Sequence, residues 1–124
     1  MRASKKYECV LVISDLHIPY HHPESFDFLK AIKKKYKDID LCVNIGDELD
    51  QHALSFHDTD PDLPSAGDEL QISRNYIKEL EKMYPEMVLL HSNHSSLIYR
   101  RALKHGMPKA YLKSYNDFLD VGPG

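Results

Sequence analysis

The order of apolar segments is what most narrows the folds open to this chain. Three short apolar runs, Tyr7 to Ile13, Asp40 to Ile45 and Met87 to Leu90, are separated by longer stretches whose apolar residues recur at helical spacing. Short, nearly continuous runs rich in β-branched residues suit strands of a parallel sheet covered on both faces. Between the first two runs, Pro23 and Glu24 open a helix whose apolar face carries Phe26, Leu29, Ile32 and Tyr36. Its other face carries Lys30, Lys33, Lys34 and Lys35, a solvated face near the helix end. A second amphipathic helix is predicted over Glu69 to Tyr84, stopped by Pro85. Leu97 to Lys104 and Pro108 to Leu119 read as two shorter helices parted by Gly106. The order β-α-β-α-β-α-α predicts an α/β fold, with a parallel sheet of about three strands, right-handed crossovers and flanking helices.

In such sheets ligands bind at the carboxyl ends of the strands. The residues there are chemically specific. Asp15 and His17, in "SDLHIPYHH", follow the first run; Asp47 follows the second; Asn93 and His94 follow the third. A lone Asp-x-His triplet arises often by chance, but matching residues at three successive strand ends are more selective. Carboxylate, imidazole and amide oxygen are ligands for divalent ions such as Mn²⁺, Fe²⁺ or Zn²⁺. Gly46, lacking a Cβ, lets the backbone bend sharply beside such a site.

The stretches "SDLH", "GDELD" and "SNHS" resemble the first three motifs of the calcineurin-like metallophosphoesterases: D-x-H, G-D-x-x-D and G-N-H-D/E in that order. The resemblance, strongest to the bacteriophage and bacterial type, covers residues 7 to about 105. It implies half of a four-layer α/β/β/α sandwich and a metal-dependent hydrolase acting on phosphomonoesters or phosphodiesters, nuclease-like activity included. It further implies two divalent ions in a complete site, Mn²⁺ foremost, with Fe²⁺, Zn²⁺ or Ni²⁺ as alternatives. Asp15 and His17 would hold the first ion, Asp47 would bridge both, and Asn93 would hold the second. His94 would protonate the leaving oxygen or steady the phosphoryl group. Two cations about 4 Å apart can clamp a phosphate and acidify water between them. Asp50, in the second motif, is expected behind the ligands.

The chain departs from the family pattern at Ser92, where the family has Gly, and at Ser95, where it has an acid. No counterpart of the family's later histidine motifs follows; after His94 comes only His105, expected at a helix end on the surface. Residues 1–124 are therefore expected to be a single, incomplete metallophosphoesterase domain and a poor hydrolase alone. The competing reading is a catalytically incomplete half-domain acting as a metal-binding, nucleic-acid-binding or assembly subunit. Its partners would be further copies in a homo-oligomer or a complementary C-terminal chain. Partial exposure of Val10, Val12, Val43 and Val88 on the sheet would favour such pairing.

Other residues carry weaker signals. The long loop "QHALSFHDTDPDLPSAGD" offers His52 and His57 as substrate contacts. Arg100 and Arg101 lie in an acid-free basic window over residues 87–116, interleaved with Tyr99, Tyr111 and Tyr115. That window could track a nucleic-acid backbone, or simply be two solvated helices with tyrosines turned inward. His21 and His22 read as solvated, and His91 as structural. A hydrophobic content of 42% with 28% charged residues excludes a disordered chain. The net charge of −3 supplies no global pull toward nucleic acid or an acidic membrane. No apolar run approaches the ~20 residues of a membrane span, and none resembles a signal-peptide core. A cytoplasmic location is expected, that of the host if the chain is of bacteriophage origin. Cys9 and Cys42, both within predicted strands, are expected as free thiols. No Gly-rich loop follows the first strand, which disfavours a nucleotide-binding module.

Overall fold

The structure is a computed structural model that describes residues 6–122. It is a mixed α/β fold in the order β1 (Val10–Ile13), α1 (Ser25–Lys35), β2 (Leu41–Asn44), α2 (Ala66–Met83), β3 (Val88–Leu89), α3 (Leu97–Lys104) and α4 (Tyr115–Leu119). The strands form one parallel sheet ordered β1-β2-β3, with Val12 opposite Val43 and Val43 opposite Val88. Among the described residues, no helix is long and apolar enough to cross a membrane.

Element boundaries differ from the sequence expectation where local hydrogen bonding intervenes. β1 begins at Val10 because the amides of Glu8 and Cys9 donate to the Asp40 carboxylate, at 2.9 and 3.2 Å. α2 starts before Glu69 because Ser65 caps it, its hydroxyl accepting from the Asp68 amide at 3.3 Å. Asp68 and Glu69 then sit in the first turn, where the helix dipole favours negative charge. The helix expected over Pro108 to Leu119 is broken. A 3₁₀ turn at Lys109–Tyr111 is followed by α4, newly capped by Ser114.

Packing explains the larger difference. Phe26 and Leu29 of α1, Ile77, Leu80 and Met83 of α2, and Leu119 of α4 share one buried cluster with Ile18 and Leu49. Ile13, Met87 and Leu89 pack against that same cluster, so the helices cover a single face of the sheet. On the opposite face lie Val10, Val12, Leu41, Val43 and Val88, continued by Ile45 and Leu90. Val12 is 56% exposed and Val10 45%. The strands are thus covered on one side only, where their composition had suggested two. Cys9 and Cys42 are free thiols, and burial pushes the Cys42 thiol up to about 11.

Candidate metal centre

Beyond the strand ends, the first two loops run side by side. His17 N donates to the Asp47 carbonyl at 2.9 Å, Ile18 N to the Glu48 carbonyl at 2.8 Å, and Asp50 N to the Ile18 carbonyl at 3.0 Å. This backbone pairing sets His17 against Asp47 and Asp50. Asp15, His17 and Asp47 all adopt left-handed backbone, with φ of 55°, 52° and 56°. Non-glycine residues rarely do so, and such conformations cluster at sites where function uses the geometry.

The third loop locks onto the second at Gly46, whose φ is 123°. A Cβ there would lie 2.6 Å from the Ser92 Cβ. The Ser92 hydroxyl accepts from the Asp47 amide at 3.0 Å and from the Ser95 amide at 3.2 Å. Ser95 is buried, accepting from the Ser92 amide at 2.7 Å and donating to the Ser92 carbonyl at 3.1 Å. The two serines therefore close the turn that presents His94.

Asp50 orients both imidazoles. His17 Nδ1 lies 2.9 Å from the Asp50 carboxylate, so Nδ1 carries the hydrogen and Nε2 faces Asp15 and Asp47, at 3.8 and 4.0 Å. His94 Nδ1 donates to the Asp50 main-chain carbonyl, which leaves its Nε2 as the free nitrogen. The two rings meet edge to face, 4.7 Å between centroids. Ligating atoms of His17, Asp47 and His94 lie within 4.8 Å of one another. Histidines fixed through their second nitrogen by an oxygen acceptor are the usual arrangement behind a metal ligand. Burial opposes ionisation of Asp47. The Ser92 hydroxyl, the His94 amide and the nearby imidazoles together outweigh it, and its carboxyl sits below the ordinary range.

Asp15, His17, Asp47 and His94 are thus brought together at the carboxyl edge of the sheet. Asn93 is exposed beside them. Its carbonyl accepts from Arg100 Nη2 at 2.8 Å and from the Ser96 hydroxyl at 2.9 Å. With Phe56, His57, His94 and Arg100 it borders a cavity of about 330 Å³. Among the histidine and carboxylate donors the cluster includes His94, which the motif pattern had assigned to proton transfer.

The remaining candidates divide. Arg101 donates to the carbonyls of Leu54 and Ser55 and stacks on Phe56, 4.6 Å from the ring centroid. It pins the long loop to α3. His52 folds that loop as well, its amide donating to Glu69 and its Nε2 accepting from the Asp60 amide, both at 3.0 Å. His57 and Arg100 border the cavity. Sequence reasoning did not see that the Asp50 carbonyl would hold His94, since any residue type supplies a carbonyl.

No protein-family model, curated protein or solved structure matches the chain.

Proposed function

We propose that this chain forms the metal-binding part of a phosphoesterase of the calcineurin-like type, acting on phosphomonoesters or phosphodiesters. The observation that carries the reading is the convergence of His17, Asp47 and His94, with both imidazoles oriented by Asp50. The donor set fits a borderline divalent ion such as Mn²⁺, Fe²⁺ or Zn²⁺. Divalent ions bound here would supply Lewis-acid charge to a phosphoryl oxygen and lower the pKa of water. In this reading Asp15, His17 and Asp47 hold the ions, with the amide of Asn93 reaching from the cavity rim. His94, its Nδ1–H held by the Asp50 carbonyl, presents Nε2, which in the imidazolium form would give its proton to the leaving oxygen and regain one from solvent. Arg100 places positive charge on the cavity wall, where a phosphate oxygen would dock.

The test is calorimetric titration with Mn²⁺ beside hydrolysis of a chromogenic phosphodiester. Asp47→Asn should weaken Mn²⁺ binding at least about tenfold, because it removes the charge between the donors. Unchanged Mn²⁺ binding in that variant would overturn the assignment. A second reading, an assembly subunit that binds metal without turnover, is favoured by the uncovered sheet face. Mn²⁺ binding without hydrolysis would select it.

A further inference from the structure

We propose that α3 and the 3₁₀ turn at Lys109–Tyr111 form a binding surface for single-stranded nucleic acid, leading past Arg100 to the cavity beside His94. Binding to this surface does not depend on the metal centre. Its basis is a segregation of charge. Residues 87–116 hold five of the 16 Lys and Arg residues and none of the 19 Asp and Glu, so the segment carries +5 and the rest of the chain −8. Arg101 is turned inward, donating to the carbonyls of Leu54 and Ser55. The other four, Arg100, Lys104, Lys109 and Lys113, are exposed. Among the described residues, none of the four is paired with a carboxylate.

These cations hold fixed places. Arg100 and Lys104, one turn apart, share a face of α3. Both flank the Phe56 ring, 5.6 and 5.0 Å from its centroid. Lys109 lies 5.6 Å from the centroid of the Tyr99 ring, and the Tyr99 hydroxyl donates to the Lys113 carbonyl at 3.0 Å. The turn is thereby fixed against the helix. Tyr115 is turned inward to Glu48 and Tyr99 is half-buried, but Tyr111 is 80% exposed. An aromatic ring held in solvent among cations offers a base something to stack on while the cations follow the phosphates. A duplex keeps its bases stacked inside, out of reach of Tyr111. A bilayer fits less well too. Interfacial helices bury a whole apolar face in lipid, whereas α3 spends Leu97 on the protein interior and turns Leu103 outward beside Arg100 and Lys104.

The experiment is fluorescence anisotropy of a labelled oligothymidylate of about ten nucleotides, titrated with the full chain in the presence of a chelator of divalent ions. Four phosphate contacts predict a slope of log affinity against log salt of about −3, or binding about 50-fold weaker at ~200 mM than at ~50 mM salt. Lys104→Gln combined with Lys109→Gln should reduce that slope to about half. Tyr111→Ala should weaken binding at least about fivefold and leave the slope unchanged, because stacking carries no counterions. Lys34→Gln combined with Lys35→Gln, exposed on α1, should change neither quantity. Far-UV circular dichroism checks that the variants fold. Absence of binding at low salt would overturn the proposal. So would an equal loss in the α1 variant, which would reduce the effect to general charge, or tighter binding of a duplex of the same length. Sedimentation with vesicles containing phosphatidylserine supplies the last outcome: capture of the chain on lipid, without oligonucleotide binding, would assign the surface to a membrane instead.

Discussion

Replacing Gly46 by alanine tests how the three loops are held together. The new Cβ would meet the Ser92 Cβ at 2.6 Å, an atom next to the backbone that cannot swing away. A φ of 123° is also poorly tolerated by any residue with a Cβ. The backbone strain is worth about 1–3 kcal/mol, and forced overpacking costs a similar 1–3 kcal/mol. Together they predict a loss of about 2–6 kcal/mol, a large part of the 5–15 kcal/mol of an ordinary domain. The two contributions can be separated. Ser92→Gly alone removes acceptors for the Asp47 and Ser95 amides and should cost about 1–2 kcal/mol. In the double variant the steric contribution vanishes while the φ strain stays. The pair should therefore cost about 1–3 kcal/mol less than the sum of the singles. Urea unfolding followed by circular dichroism measures all three. Additivity within about 0.5 kcal/mol would refute the claim that the Gly46–Ser92 approach limits this position.

Asp50 and Glu48 give two further tests. Asp50→Ala removes the acceptor for His17 Nδ1 but keeps the main-chain carbonyl that holds His94. Mn²⁺ affinity should fall about 10–100-fold, and less in Asp50→Asn, which retains an acceptor oxygen; equal affinities across the series would sink the orienting role. Glu48 is fully buried, and burial raises its carboxyl pKa despite the hydrogen bond from Tyr115. Its folded pKa lies above the unfolded one, so its contribution to stability is complete below the ordinary carboxyl range and is lost as pH rises through the folded value. Thermal melts of Glu48→Gln should show a flatter decline from acid toward neutral pH and a higher midpoint at pH near 8. A slope identical to that of the unaltered chain would contradict this.

The element order and the strand-end residues were legible because hydrophobic periodicity is a local property. Phe26 and Leu29, or Ile77 and Leu80, announce a buried helix face whatever lies opposite. The single-sided sheet was only half legible. Val12 and Val43 look the same in sequence whether a second layer covers them or none does. The first turn of α2 was hidden because "SAGD" holds a glycine and reads as loop, although Ser65 was already the cap. At the centre, Asp15, His17 and Asp47 were found by residue type and position. The carbonyl of Asp50 left no trace in composition, because the partner of His94 is main chain. Arg101 looked like a binding residue because its charge is visible in the sequence and the path of the loop carbonyls it satisfies is not.

The left-handed backbone at Asp15, His17 and Asp47 limits what mutational tolerance can reveal about this site. Glycine, asparagine, aspartate and histidine accept that conformation far more readily than β-branched side chains do. A library selected only for folding would therefore show a restricted alphabet at these positions even if no ion ever bound there. Sequence restriction here is first a record of backbone shape. Only the difference between aspartate and asparagine, which share that shape and differ in charge, reports on the chemistry.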